Sequence, residues 1–182
     1  GCSRQEAKAH PFKPLYGGTT GTEAQQRYYR AFKDKYEGVK LWHDKLQREA
    51  VKTKQITLPS GRQYAFPSAR WTEWGTATNR TAICNYPVQG FATADLLPTA
   101  LVRLSKMMRN RELKSVICNT VHDSIVLDVH PDEKDACIKL LEYAMLSLPI
   151  ESENRYRVEY DMPVEIELKI GKNWLDTEVV SL

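Results

Sequence analysis

Residues 116–129, which read VICNTVHDSIVLDV, contain two short runs of β-branched residues on either side of a His-Asp-Ser turn. Runs rich in valine, isoleucine and threonine favour strands, and only residues 122–124 separate the two runs. The segment therefore predicts a β-hairpin with Asp123 at its turn. A carboxylate at such a turn projects rigidly from the sheet, which suits a ligand of Mg²⁺ shared with substrate phosphates. Taken alone, the same residues are also ordinary turn residues.

Helical and extended patterns surround this hairpin. Apolar residues recur at three-to-four spacing in some segments and alternate in others. The patterns predict helices over 22–52, 89–110 and 131–148, a hairpin over 55–66 and a last strand over 164–170. Thr22 is the expected N-cap of the first of these helices, and Trp71 and Trp74 are expected to pack down a loop over 67–80. Without an internal repeat or linker, the sequence predicts one α+β unit.

Composition excludes several classes of protein. The chain has 182 residues, a net charge of +3 and four cysteines, which form no CxxC pair and so disfavour a structural zinc site. No apolar run approaches the ~20 residues of a membrane span, and no charged-then-apolar leader supports secretion. The mild positive charge does not by itself indicate a nucleic-acid partner.

A basic and aromatic segment opens the chain. Arg4, Lys8, Phe12 and Tyr16 recur every four residues before Gly17, so on a helix they would share one face. Two cations one turn apart suit a polyphosphate, and a flat side chain beyond them can stack on a base or sugar. A plain basic amphipathic helix, bent by prolines at 11 and 14, is the alternative.

A second segment carries amide side chains. Residues 85–90 read NYPVQG, with Asn85 and Gln89 four positions apart. Amides can donate to the acceptors that every base pair presents in the minor groove, which reports correct pairing without reading sequence. Taken alone, the segment would be a helix N-terminus that contains a proline.

The order of these segments resembles DNA polymerase family A, the DNA polymerase I type, over essentially the whole chain. The family pattern Arg-x3-Lys-x3-Phe/Tyr-x3-Tyr-Gly of the fingers helix matches at residues 4–17, and Asn-x-Pro-x-Gln-Gly matches at 85–90. Val-His-Asp-Glu of the palm resembles residues 121–124, where Ser124 replaces the usual Glu. Residues 57–62 resemble a Thr-x2-Gly-Arg hairpin one residue wider than usual, and residues 162–174 resemble the last palm strand with its Gly-x-Asn-Trp ending. Lys13 stands where the family usually has Gly, and Thr81 where it tends to have Arg.

This resemblance implies a fold and a set of site residues. The fold is an antiparallel palm sheet with the His-Asp-Ser hairpin, packed by helices, plus part of the helical fingers. Residues 1–52 would belong to the fingers and residues 53–182 to the C-terminal part of the palm. Arg4 and Lys8 would bind the incoming triphosphate, Lys8 would assist protonation of pyrophosphate, and Asp123 would bind catalytic metal. The other implied contacts are Phe12 and Tyr16 with the nucleotide or template base, and Arg62, Asn85, Gln89 and His122 with DNA.

The implied activity is template-directed transfer of a nucleotide from dNTP to a primer 3′-OH with two Mg²⁺ ions. The family's other metal-binding Asp lies upstream of the fingers helix and is not in this sequence. Two ions held ~3.5–4 Å apart need both carboxylates, so we expect the isolated chain to be inactive. Expected partners are primer–template DNA, dNTP and the upstream thumb and palm portion of the same polymerase, in the cytoplasm of a bacterial or phage-infected cell.

Three other interpretations remain open. The chain could be a non-catalytic DNA-binding module derived from a polymerase, which would bind primer–template in a salt-sensitive way without activity. It could be one chain of a naturally split polymerase. An unrelated metal-dependent phosphohydrolase using His122 and Asp123 would need further ligands, and the other histidines have no ligand-like neighbours.

Overall fold

The structure is a computed structural model that describes residues 13–18, 21–160 and 163–180. These residues combine helices with short antiparallel strand pairs, which confirms the predicted α+β class. The helices are α1 (Glu23–Lys35), α2 (Glu37–Thr53), α3 (Arg80–Gln89), α4 (Leu97–Asn110), α5 (Lys134–Leu146) and α6 (Leu148–Tyr156). The strands are β1 (Gln55–Thr57), β2 (Gln63–Ala65), β3 (Val116–Val121), β4 (Ser124–Asp128), β5 (Lys169–Gly171) and β6 (Thr177–Val179).

Each strand pairs with its neighbour in the sequence, so the described residues form three two-stranded sheets, β1–β2, β3–β4 and β5–β6. The chain forms two compact units that meet in sequence between Gly90 and Phe91, so the prediction of a single α+β unit is wrong. The assignment of residues 1–52 to the fingers and 53–182 to the palm describes functional subdomains. The two compact units do not test it, and it stays a prediction. Among the described residues no helix is long and apolar enough to cross a bilayer.

The first unit begins with the predicted cap. The Thr22 side chain accepts a hydrogen bond from the Gln25 amide, and the Gln25 side chain accepts one from the Thr22 amide. This reciprocal capping box satisfies two amides that the first turn leaves open. The prediction of one helix over 22–52 is wrong, because Tyr36 leaves the helical region (φ −114°, ψ 66°) and separates α1 from α2. Both halves keep the same apolar spacing, so periodicity does not reveal the break.

The hairpin predicted over 55–66 is confirmed as β1–β2, with Ile56 opposite Tyr64. Gly61 provides the positive φ (84°) that its turn requires. Ile56 and Phe66 are buried in a core that also receives Leu46 and Ala50 of α2 and Ile83 of α3. The loop after β2 is present, although Trp71 and Trp74 are exposed and do not pack it down.

The helix predicted to start near residue 89 starts nine residues earlier, at Arg80, after Asn79 in a left-handed conformation (φ 58°). Pro87, interpreted from the sequence as a helix-start signal, lies inside α3. Its nitrogen cannot donate to the preceding turn, and a π-helical segment, Gly90–Leu96, follows before α4. A π-helical turn inside a helix is uncommon and often lies near a functional site.

The second unit packs the β3–β4 hairpin on helices. Leu104 and Met108 of α4 are buried against Leu140 and Ala144 of α5, and Ile117, Ile125 and Leu127 of the hairpin pack on this cluster. The helix predicted over 131–148 is divided into a 3₁₀ turn, Pro131–Glu133, and α5. A sixth helix, α6, follows; the sequence pattern did not indicate it.

The chain end differs most from its prediction. The strand expected over 164–170 is only β5, which pairs with β6. A Cβ at Gly171 would lie 1.9 Å from the Asp176 carbonyl oxygen, so only glycine fits the close approach of the two strands. The Asn173 side chain accepts from the amides of Leu175 and Asp176 (2.9 Å each) and so shapes the turn. Trp174, expected as a packing anchor, is 65% exposed.

Candidate nucleic-acid interface and carboxylate turn

The predicted site residues fall into three groups. Arg4, Lys8 and Phe12 lie outside the described residues. The second group belongs to the first unit: Tyr16, Arg62, Asn85 and Gln89. The third group, His122 and Asp123, belongs to the second unit.

Tyr16 and Gln89 lie 73 residues apart in the sequence and meet in the structure. The Gln89 Nε2 atom donates a hydrogen bond of 2.9 Å to the Tyr16 hydroxyl. Gln89 is the last residue of α3, and Tyr16 follows a helical turn at residues 13–15. Two segments predicted from separate motifs therefore share one location.

A buried histidine holds the segment that carries Tyr16. The His43 Nε2–H group donates to the Leu15 carbonyl oxygen at 2.8 Å, and His43 is only 1% exposed. Burial lowers the pKa of His43, which favours the neutral ring. Gly17 (φ +81°) then packs on α3, where a Cβ would lie 3.2 Å from the Cys84 sulfur. No sequence pattern indicated His43, because its partner is a backbone carbonyl 28 residues away.

Helix α3 presents its amides on one face. Asn85 and Gln89 are one turn apart, and Ile83 and Cys84 are fully buried on the core side. Burial raises the pKa of the Cys84 thiol to about 11, so the thiol stays protonated and serves packing. The Asn85 Oδ1 atom is buried, and no hydrogen-bond partner for it occurs among the described residues. Arg62 is exposed at the turn of the β1–β2 hairpin.

The carboxylate turn is tighter than predicted. Two residues, His122 and Asp123, connect β3 to β4, because Ser124 already pairs with Val121. His122 has a φ of 54°, a left-handed conformation in which histidine is several-fold enriched among non-glycine residues. The Ser124 hydroxyl donates to the Val121 carbonyl oxygen at 2.9 Å and so closes the turn. The residue that replaces the family's usual Glu therefore serves the backbone here.

Asp123 faces a cavity of about 340 Å³ in the second unit. Glu165 and Glu167 also line this cavity, and Leu141 and Met145 of α5 contribute apolar side chains to it. Asp123 offers carboxylate oxygens, the donor type that Mg²⁺ prefers. The described residues nevertheless contain no group of three His, Cys, Asp or Glu side chains placed to hold a metal ion. The metal-binding role of Asp123 stays a prediction.

Glu133 fixes the base of the hairpin, a role that sequence reasoning missed. Its carboxylate accepts hydrogen bonds from the amides of Lys114 and Ser115 and from the Ser115 hydroxyl. The Lys114 amide and the Ser115 hydroxyl are the main causes that lower the pKa of Glu133 to about 2. The Ser115 hydroxyl oxygen also accepts from the His130 amide at 2.9 Å. The start of β3 is thus attached to the start of α5. The sequence placed Glu133 only within the helix predicted over 131–148.

Comparison with known proteins identifies the class of fold first. The chain is similar to a solved structure of the POL domain of Pol1 from M. smegmatis in complex with DNA primer-template and dNTP. The TM-score is 0.70 with 22% sequence identity, over 80% of this chain and 27% of that chain. At this identity the likeness defines a polymerase-domain fold.

The family follows from the sequence comparison. The model of DNA polymerase family A matches residues 3–176, and the chain belongs to that family. The family predicted from the motifs is therefore confirmed. Members of this family generally use divalent metal ions.

Relatives match over different lengths. DNA polymerase I of Lactococcus lactis subsp. lactis is 29% identical over 187 residues, covering 96% of this chain. The DNA polymerase of Bacillus phage SP01 is 37% identical over 92 residues, covering 50% of this chain and 10% of that protein. The chain spans about a fifth of the length of the bacterial relative.

Proposed function

We propose that this chain is the part of a DNA-directed DNA polymerase that contacts primer–template DNA and contributes one metal-binding carboxylate. The reaction is template-directed nucleotidyl transfer from dNTP to a primer 3′-OH. The observation that carries the proposal is the 2.9 Å hydrogen bond between Gln89 and Tyr16. This bond joins Gln89, which is expected to contact the primer–template duplex, to Tyr16, which is expected to occupy the template-base position. The related DNA polymerase I proteins and the primer-template and dNTP of the structural neighbour support it.

Contacts to the incoming nucleotide belong to the first residues of the chain. Arg4 and Lys8 bind the triphosphate, because two cations one helical turn apart can neutralise different phosphates. Lys8 also assists protonation of the departing pyrophosphate, and Phe12 packs on the nucleotide. Tyr16 occupies the template-base position. The hydrogen bond from His43 to the Leu15 carbonyl oxygen holds the segment that carries Tyr16.

Contacts to DNA come from Arg62, Asn85, Gln89 and His122. Amide donors suit the minor-groove acceptors that all base pairs share. Arg62, at the exposed tip of the β1–β2 hairpin, suits a backbone phosphate. Such contacts bind the duplex through features that do not depend on base sequence, as a polymerase requires.

Asp123 binds Mg²⁺ together with a second carboxylate from the upstream palm portion of the same polymerase. The bound ions would supply stabilisation of the charge that develops on the phosphoryl oxygens. His122 and Asp123 form the turn of the β3–β4 hairpin, and Asp123 is the residue of this turn that offers a carboxylate. Because the family's other metal-binding Asp would lie in that upstream portion, we expect the 182-residue chain alone to be inactive; the complete enzyme acts in the cytoplasm of a bacterial or phage-infected cell.

Primer extension tests this proposal. The purified chain should show no Mg²⁺-dependent dNTP incorporation, and adding the upstream thumb and palm portion of a family A relative should produce extension. Incorporation by the chain alone would contradict the predicted division of the metal site. Failure of a folded, DNA-binding mixture to extend at any Mg²⁺ concentration would contradict the catalytic role.

A non-catalytic DNA-binding module is the second candidate. The observation that favours it is Ser124, whose hydroxyl closes the hairpin turn where the family usually has Glu. Salt-sensitive binding of primer–template, with no extension after the upstream portion is supplied, would select this candidate. A naturally split polymerase would instead extend primers once its natural second chain is added.

A further inference from the structure

The ring of Tyr86 is 45% exposed although it stands in the middle of α3. Two other rings hold it from the β1–β2 side. The Tyr64 ring centroid lies 5.2 Å away at an interplanar angle of 55°, and the Phe66 centroid lies 5.9 Å away at 34°. A ring held in this way loses little conformational freedom when it binds a ligand, so its contact is favourable.

The backing of Tyr86 is itself closely packed. Phe66 is buried in the core of the first unit, and Tyr64 packs on the same core. A Cβ at Gly90 would lie 2.1 Å from the Tyr64 hydroxyl oxygen, so glycine at this position makes room for the Tyr64 ring. The exposed ring of Tyr86 therefore rests on a fixed base of Tyr64, Phe66 and Gly90.

Tyr86 shares its helix face with Gln89, one of the two amide residues. It directly follows Asn85 and precedes Gln89 by three positions, a spacing that places side chains side by side on a helix. Arg62 precedes Tyr64 by two positions and is exposed at the turn of the same hairpin. The first unit thus places an exposed aromatic ring beside an amide side chain and also carries an exposed cation, side chains that occur at sites that bind nucleic acid by stacking and charge.

We propose that Tyr86 stacks on an unpaired nucleobase of the template strand where it leaves the primer–template duplex. This proposal rests on the proposed function and adds to it, because the family resemblance assigns no role to Tyr86. Amide donors suit paired bases, whereas an exposed ring suits a base without a partner. Every base has a π-face, so the contact tolerates any template sequence. The surface therefore recognises a junction between duplex and single strand.

Fluorescence anisotropy with two DNAs tests the proposal on the 182-residue chain. One DNA is a primer–template with a template overhang, and the other is the blunt duplex of the same paired sequence. Tyr86→Leu should weaken binding of the overhang DNA between about threefold and tenfold and leave the blunt duplex unchanged. Tyr86→Trp, which keeps a flat ring, should retain the preference for the overhang. Trp74→Leu removes an equally aromatic but more exposed side chain outside α3 and should change neither affinity.

A modified DNA gives a readout that needs no protein variant. An abasic residue at the overhang position next to the duplex should weaken wild-type binding as much as Tyr86→Leu does. The same DNA should cause no further loss with Tyr86→Leu, because the ring and the base form one contact. Equal losses on both DNAs, no loss at all, or additive losses would each overturn the stacking contact.

Failure of this inference is distinguishable from failure of the proposed function. If the folded wild-type chain binds neither DNA, the proposed DNA contact fails. If Gln89→Ala weakens binding of both DNAs while Tyr86→Leu and the abasic residue have no effect, only the stacking inference fails. Circular dichroism spectra of each variant confirm that the compared proteins share one fold.

Discussion

The two regions that carry predicted site residues are built in different ways. Helix α3 carries Asn85, which is half-buried, and Gln89, which is exposed, and it rests on Ile83 and Cys84, which are fully buried. The turn of the β3–β4 hairpin is exposed from Val121 through Ser124. A packed core therefore holds the helix that carries the Asn85 and Gln89 side-chain amides. Asp123 receives its position from the hydrogen bonds of a two-residue turn.

The hairpin is attached to its unit away from the turn. Ile117, Ile125 and Leu127 pack on the cluster between α4 and α5, and the Glu133 carboxylate accepts hydrogen bonds from the two amides just before β3. A substitution next to α3 should therefore lower stability through packing. Substitutions of the carboxylates at the turn and at the base of the hairpin should act through charge. Three substitutions test this difference.

The largest effect is expected at the turn. In the extension assay with the upstream portion supplied, Asp123→Asn should lower the rate at least about a hundredfold. Stabilisation of transferring phosphoryl charge by metal ions is worth several kcal/mol, and about 1.4 kcal/mol corresponds to tenfold in rate. Circular dichroism should show an unchanged fold, because Asp123 is exposed.

Asp128→Asn is the matched control, since Asp128 is an exposed carboxylate in the same hairpin, opposite Val116. It should retain the wild-type rate. Equal losses in both variants would mean that general charge, not the turn carboxylate, supports the reaction.

A packing effect of intermediate size is expected at Gly90. Gly90→Ala places a methyl group against the Tyr64 ring, and overpacking of this kind costs about 1–3 kcal/mol of unfolding free energy. Urea denaturation measures the loss. In a Tyr64→Val background the same substitution should cost less, because the obstructing ring is gone.

Gly38→Ala in α2 provides a control of opposite sign. Nothing lies within 4 Å of a Cβ at Gly38, and alanine in an exposed helix position is up to about 1 kcal/mol more favourable than glycine. If both alanine variants lower stability equally, the close contact between Gly90 and Tyr64 is not the cause.

The smallest effect is expected at the base of the hairpin. The pKa of Glu133 is lowered to about 2 from an ordinary value of 4.5, so the folded state binds fewer protons than the unfolded state in this range. The stability that the carboxylate contributes is present above about pH 4.5 and is lost as the pH falls toward 2. Thermal melts should show Glu133→Gln less stable than wild type at pH 6, and the difference should shrink toward pH 2.

Ser115→Ala removes one of the three donors to Glu133 and should reduce this pH dependence only in part. A difference between wild type and Glu133→Gln that is constant from pH 6 to pH 2 would show that the carboxylate charge contributes nothing.

Much of the fold could be read from local patterns, and the exceptions have physical causes. The Thr22 cap and the turns around Gly61 and Asp123 each depend on a few neighbouring residues, so the sequence indicates them directly. Pro87 misled the prediction because proline is common at helix starts and rare inside them. The core backing of α3 lets the helix retain it.

The sequence alone determined the family, because ordered motifs with family-like spacing occur along nearly the whole chain. It also determined the metal-binding candidate Asp123, whose hairpin follows from two β-branched runs and a short turn. The tertiary structure decided which residues meet. Gln89 reaches Tyr16 across 73 residues, His43 reaches the Leu15 carbonyl across 28, and Glu133 reaches β3 across 18 and 19. Capping and periodicity act over a few residues, whereas these contacts exist only after packing has brought distant segments together.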